Sequence, residues 1–189
     1  MELLIWLVTA LMLILGCWVQ TALGFGMAMV AAPVVVVLRP EWVPVMLTFM
    51  AFALSGINAW NTRRDLQLGL MPAPFLTRIP GTAAGAWLLL QLNTFWLQIA
   101  VAASVLLAVL LSLFSLRFHA TPAKLGWAGF FSGLMGTTTS IGGPPMALVM
   151  QHGDPRTVRA NLSFFFAYSC LLSLTGYALT GIIDRSLLL

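Results

Sequence analysis

Apolar residues fill this chain in long runs, separated by short polar stretches. The runs cover residues 3–38, 43–60, 66–92, 95–116, 125–150 and 161–183. Polar turns fall at 39–41, 61–65, 91–93, 117–124 and 152–159, and another opens at 184–186. About 20 apolar residues carry a helix across hydrocarbon, so the pattern predicts an all-α polytopic membrane protein. The run 95–116 is the plainest and reads as a structural span. The run 3–38 is too long for one straight span, because each helical residue rises about 1.5 Å. Gln20-Thr21-Ala22-Leu23-Gly24-Phe25-Gly26 interrupts it and Pro33 follows, so it is either a kinked helix or a re-entrant pair.

The run 125–150 is broken more deeply, by Ser132-Gly133-Leu134-Met135-Gly136-Thr137-Thr138-Thr139-Ser140-Ile141-Gly142-Gly143-Pro144-Pro145. Gly costs a helix roughly 1 kcal/mol and interior Pro about 3. Pro also deletes a backbone donor and clashes with the preceding turn. Inside a bilayer, broken helix survives only where protein or a wet cavity satisfies the freed backbone. Residues 132–145 are therefore expected to unwind at mid-membrane and line a small-molecule site. A helix that restarts after such a break offers unpaired N–H groups and a partial positive charge. Gly142 and Gly143 let an anion approach the backbone. Pro144 and Pro145 suit the first turn of the restarting helix. Thr137, Thr138, Thr139 and Ser140 add hydroxyl donors. The competing reading is a kink that serves packing alone, for which prolines suffice. Gln20, Gly24 and Gly26 form the expected partner site, set against simple small-residue packing.

The run 66–92 holds Pro72, Pro74, Pro80 and one charge, Arg78. Charges inside membrane segments face a cavity or a partner, so Arg78 is a candidate substrate contact. The other reading has it snorkelling to the interface. Gly81 and Gly85 make a small-residue face suited to close helix contact. Asn161 opens the last run and reads as that helix's cap, with a place in the site as the alternative.

A repeat is visible. A glycine-broken run followed by a helix opens the chain, and the order recurs from Gly126. The expected organisation is a first transmembrane repeat over 1–116, a central loop over 117–124, and a second repeat over 125–189. The second repeat lacks counterparts of 66–116 and reads as incomplete, with 186–189 as the start of a further helix. Transporters built from such repeats place broken helices at the midplane. If both broken runs cross once, Arg63, Arg64, Arg117, Lys124 and Arg185 share one side, opposite Arg39, Arg156 and Arg159. If both are re-entrant, Arg63, Arg64, Arg117, Lys124, Arg156 and Arg159 share a side, opposite Arg39 and Arg185. The second arrangement is the more asymmetric, and the positive-inside rule favours it.

Composition narrows the class further. Only 7% of the 189 residues are charged against about 25% in soluble domains, so a soluble core is excluded. The net charge of +4 comes from basic residues scattered over loops, which sets topology and not nucleic-acid binding. Cys17 and Cys170 lie far apart in apolar runs and imply neither a redox pair nor a metal framework. Glu2 stands where a signal peptide would carry Lys or Arg, and Ile14-Leu15-Gly16-Cys17 lacks the basic region a lipoprotein signal needs. No nucleophile–base pair, zinc-protease motif or phosphate loop is present, and His119 and His152 fall in loops. No cofactor and no enzymatic activity are expected.

Three stretches together resemble the TauE/SafE sulfite exporter family, also called toluene-sulfonate-uptake-permease-like. They are Gly24-Phe25-Gly26 with Pro33, Ser132-Gly133-Leu134-Met135-Gly136 leading to Gly142-Gly143-Pro144-Pro145, and Val158-Arg159-Ala160-Asn161-Leu162 before an aromatic-rich helix. The resemblance implies a multi-pass permease of the bacterial inner membrane that moves small organosulfur or organic anions. It also implies coupling to an ion gradient, H+ or Na+, and it is compatible with a homo-oligomer. The expected function is secondary transport of sulfite, a sulfonate or a carboxylate by alternating access. Arg78, the hydroxyls of 137–140 and the backbone of Gly142 and Gly143 would coordinate the anion. A non-transporting subunit of a larger membrane complex and a membrane-embedded enzyme are the alternatives.

Overall fold

The computed structural model describes residues 2–69, 71–113 and 121–183. Within them the chain is all helical, with eight α-helices and two single 3-10 turns. The helices are α1 Glu2–Leu23, α2 Met27–Leu38, α3 Val45–Thr62, α4 Pro72–Gln91, α5 Thr94–Leu113, α6 Pro122–Thr139, α7 Gly143–Met150 and α8 Pro155–Leu179. By length and apolar composition α1, α5 and α8 can each cross a membrane. Along α1 only Thr9, Gly16 and Gln20 are buried, and they share one face. Leu3, Leu7, Ile14 and Trp18 point outward. Such an apolar exterior is unstable in water and suits lipid.

The first broken run is a hairpin. Gly24 and Gly26 carry φ of 86° and 115°, a left-handed corner that side chains resist. Beyond it α2 runs back along α1. A Cβ on Gly16 would lie 2.7 Å from the Met27 carbonyl oxygen. At the far end Arg39 pairs with Glu2 and stacks over Trp6, 5.5 Å from the ring centre. The run is therefore not one kinked helix: the chain reverses and α2 packs back along α1.

The second broken run is also a hairpin. α6 ends at Ser140, whose φ is 64°, and α7 returns so that Met146 and Val149 share a core with Leu125 and Ala128. The unwound part is shorter than the expected 132–145: residues 132–139 remain in α6, 143–145 open α7, and only Ser140–Gly142 leaves the helix. The Thr138 and Thr139 hydroxyls donate back to the Leu134 and Met135 carbonyls at 2.7 and 2.8 Å, a bond compatible with continued helix.

The two hairpins point in opposite directions. The corner of the first lies against the start of α8, where a Cβ on Gly24 would be 2.7 Å from the Arg159 carbonyl. The corner of the second lies against the start of α3, where Ser140 Oγ donates to the Pro44 carbonyl at 2.9 Å. α3 packs on α8, and α4 packs on α6. The α4–α6 contact explains the small-residue face. A Cβ on Gly81 would lie 2.2 Å from the Phe130 carbonyl, and one on Gly129 would lie 2.6 Å from Pro74.

α8 starts six residues before the expected 161. Asp154 caps it, accepting from the Thr157 N–H at 3.0 Å, with Pro155 in its first turn. That backbone bond, above all, holds the Asp154 carboxyl below its ordinary range. α6 likewise starts inside the expected loop at Pro122, with Thr121 as its cap. Residues 117–120, the turn at 184–186, the expected helix start at 186–189 and the end of the run 95–116 lie outside the described residues.

Candidate functional site

The two corners meet at an interior cavity of about 40 Å³. Gln20, Gly26, Ser140, Gly142 and Gly143 all line it, and so do Phe25, Ser55 and Cys170. None of its lining residues is exposed. A void of that size holds a few water molecules at most.

On the first-hairpin side, every polar group of Gln20 is engaged. Its Oε1 accepts from the Met27 N–H at 3.2 Å, which caps α2. Its Nε2 donates to Ser55 Oγ at 2.8 Å and to the Ala51 carbonyl at 3.3 Å. Asn58 donates to the Gln20 carbonyl at 3.2 Å. Gln20 is thus a bracket that ties the corner to α3.

The second side is built differently. α7 starts without a side-chain cap, and two of its first three residues are prolines. Gly143 alone among those three has an amide donor, while the aligned dipoles still place partial positive charge there. Ser140 also contacts Thr48 Oγ1 at 3.2 Å. Thr139 Oγ1 accepts from the Ile141 N–H at 3.2 Å and so steadies the turn from within.

Behind this wall lies Arg78, only 2% exposed. Its Nη1 donates to Ser132 Oγ at 2.9 Å and its Nη2 to Ser173 Oγ at 3.3 Å. Its Nε is buried with no partner. Ser132 Oγ passes the contact on, donating to the Gly142 carbonyl at 2.6 Å. Thr137 joins the cluster through Ser173 at 2.8 Å, and Tyr177 Oη donates to the Thr137 carbonyl at 2.5 Å. The guanidinium occupies the space a side chain on Gly136 would need: a Cβ there would be 2.9 Å from Nη2. Arg78 is one layer behind the cavity and does not line it. No carboxylate among the described residues reaches it. Glu2 and Glu41 pair with Arg39, and Asp154 caps α8.

Other expected site residues stand apart from the cavity. Thr138 faces α4, with the Gly85 carbonyl 3.3 Å away. Gly24 packs on α8, and Pro144 lines a neighbouring hollow. Asn161 neither caps α8 nor reaches the cavity. Its amide clasps the Gln67 backbone, accepting from the N–H at 3.0 Å and donating to the carbonyl at 2.8 Å.

Sequence reasoning passed over Ser55 and Asn58 on α3, and Ser173 and Tyr177 on α8. A signal existed. Ser169, Ser173 and Tyr177 recur every four residues in an apolar helix, and Ser55 and Asn58 are three apart, so each set marks one polar face.

The family profile described as Sulfite exporter TauE/SafE matches residues 8–189, which takes in both hairpins and the helices around them. The chain belongs to the TauE/SafE sulfite exporter family. This TauE/SafE protein is accordingly an integral membrane protein of a transporter family. No curated protein and no solved structure gives a significant match to it.

Proposed function

We propose that this protein is a multi-pass secondary transporter of the bacterial inner membrane. It carries a small anion such as sulfite, a sulfonate or a carboxylate past the junction of its two hairpins. The observation that carries this reading is the buried cation. Among the described residues no counter-ion reaches Arg78; a charge so enclosed is unfavourable by several kcal/mol, and hydroxyl acceptors relieve only part of that. An anion bound near Gly142 and Gly143 supplies the missing charge. It gains the dipole of α7 and the Arg78 field, both strengthened by low local dielectric.

The cavity at the junction is too small for a hydrated anion, so on this reading transport requires it to widen. Alternating access would widen it by moving one hairpin against the other. We read 1–116 and 125–189 as inverted repeats that supply one hairpin each. Arg63, Arg64, Lys124, Arg156 and Arg159 lie toward the end where α3 finishes and α8 starts, and Arg39 lies toward the other. By the positive-inside rule the former end faces the cytoplasm. An H+ or Na+ gradient would drive the cycle.

Purified protein in liposomes, loaded in turn with sulfite, methanesulfonate and acetate, tests this directly. Flux of at least one anion is expected, and Arg78→Gln should reduce it about 100-fold, the factor that ~3 kcal/mol of lost charge pairing represents. Wild-type flux in a well-folded Arg78→Gln protein would remove Arg78 from the mechanism.

A further inference from the structure

Beside the junction lies a second hollow, of about 370 Å³. Its lining includes Leu23, Gln151, Gly153 and Pro155, all exposed, so it reaches the surface. It opens at the end where α8 begins. Two residues, Phe25 and Met29, line both this vestibule and the interior cavity.

Phe25 is the partition between them. Its ring fills the space in front of Gly143, where an added Cβ would be 2.4 Å from Phe25 Cδ2. On its other side it meets Phe166, with ring centres 6.3 Å apart. Phe25 is flanked by Gly24 and Gly26, both at positive φ. Glycines cross between backbone basins that other residues cannot, so the ring sits on a natural pivot.

The vestibule wall also carries Arg159. Its Nε is buried and has no partner. Asp154, the acid nearest in sequence, bonds to Thr157 and is not part of the lining. The Arg159 backbone meets the pivot itself, because Gly24 packs against its carbonyl. One cation therefore stands outside the partition, and another, Arg78, stands behind the cavity inside it.

We infer that the vestibule is a second anion-binding site, in which Arg159 holds a small oxyanion outside the Phe25 ring, and that displacement of this ring admits the anion to the junction. The inference rests on the transport reading, but its consequences are read as access and not as flux. An anion paired with Arg159 is concentrated at the partition. A cation meets repulsion at the same place.

Cys170 lines the interior cavity and serves as a native reporter. The 189-residue chain with Cys17→Ala has this single thiol, since the sequence contains two cysteines. It is treated in nanodiscs with a sulfonate-bearing and a trimethylammonium-bearing methanethiosulfonate, and labelling rates are read by mass. Phe25→Ala is expected to raise labelling by the sulfonate reagent at least tenfold, with Phe25→Leu between it and wild type. Adding Arg159→Gln to Phe25→Ala should slow the sulfonate reagent at least fivefold and leave the cationic one unchanged or faster. Arg159→Lys should preserve the sulfonate rate. Methanesulfonate as competitor should protect Cys170 when residue 159 is Arg and not when it is Gln. Unchanged labelling in both Phe25 variants would overturn the gate. Equal response of the two reagents to Arg159→Gln, or protection that survives that change, would overturn the anion site. Loss of flux in Arg78→Gln with this labelling pattern intact, or the reverse, separates the two readings.

Discussion

The two hairpins solve the same problem in different ways. Each must reverse the chain inside an apolar body and satisfy the backbone it frees. The first does so with a neutral side chain: Gln20 caps α2, reaches α3, and has no polar atom left over. The second leaves the start of α7 uncapped and puts a cation behind it, joined through Ser132 to the Gly142 carbonyl. The first junction is electrostatically closed. The second is open and carries an excess of positive charge, which the anion proposed above would balance. On the proposed reading this asymmetry is functional, because a site that satisfied itself would have nothing to gain from substrate.

The largest expected effect tests that asymmetry. Arg78→Gln should abolish anion-dependent thermal stabilisation, yet raise the melting temperature of the anion-free protein, because a buried unpaired charge is removed. A structural arginine behaves oppositely, with loss of stability whether or not anion is present. Removing a group from the first junction should reverse the pattern. Gln20→Leu strands the Ser55 and Met27 partners and should cost about 1–3 kcal/mol of stability, with anion affinity changed less than threefold. Equal loss of affinity in the two variants would dissolve the distinction between the junctions.

A methyl group added at each corner gives an intermediate effect. Gly24→Ala places a Cβ 2.7 Å from the Arg159 carbonyl at a φ of 86°, so clash and backbone strain add. Gly142→Ala places one 2.7 Å from the Ser132 carbonyl at an ordinary φ of −94°. Overpacking of this kind costs about 1–3 kcal/mol, and a left-handed side chain adds roughly 1–2. Gly24→Ala should therefore be the less stable in thermal unfolding. Gly142→Ala, which presses on the Ser132 relay, should be the one that weakens anion binding.

Much of this was legible in the chain itself. Apolar runs gave the helices, and both interruptions include glycines, at Gly24 and Gly26 and at Gly142, while Pro33, Pro144 and Pro145 stand within the helices that follow. Arg78 was visible as a lone charge among apolar neighbours. What could not be read was the reach of each side chain. Threonine hydroxyls at 138 and 139 promised donors to a ligand, but in a helix they return to their own carbonyls four residues back. The glutamine beside the first corner looked like a ligand group, and the fold spends it on Met27 and Ser55. Asn161 looked like a helix start because apolar residues follow it, while Asp154 and Pro155 had already begun the helix. The distance between Arg78 and the cavity depends on Ser132 and Gly136, which adjoin it only after α4 docks on α6.

The smallest expected effect concerns the backbone at the corners. Ser140 holds φ 64° with a side chain, whereas Gly26 holds φ 115° without one. Ser140→Gly relieves about 1 kcal/mol of left-handed strain and loses a hydroxyl bond to Pro44 of similar worth, so the net change should stay within about 1 kcal/mol. Gly26→Ala has no such offset. It adds strain, and its Cβ would lie 3.0 Å from Val19 Cγ1, so it should destabilise by more. Thermal unfolding of both variants in the same detergent decides the matter. If Ser140→Gly proves as damaging as Gly26→Ala, the contacts of Ser140 with Pro44 and Thr48 lock the second corner as Gln20 locks the first. The second junction would then owe its openness to the unpaired charge of Arg78 alone, and not to a loosely held turn.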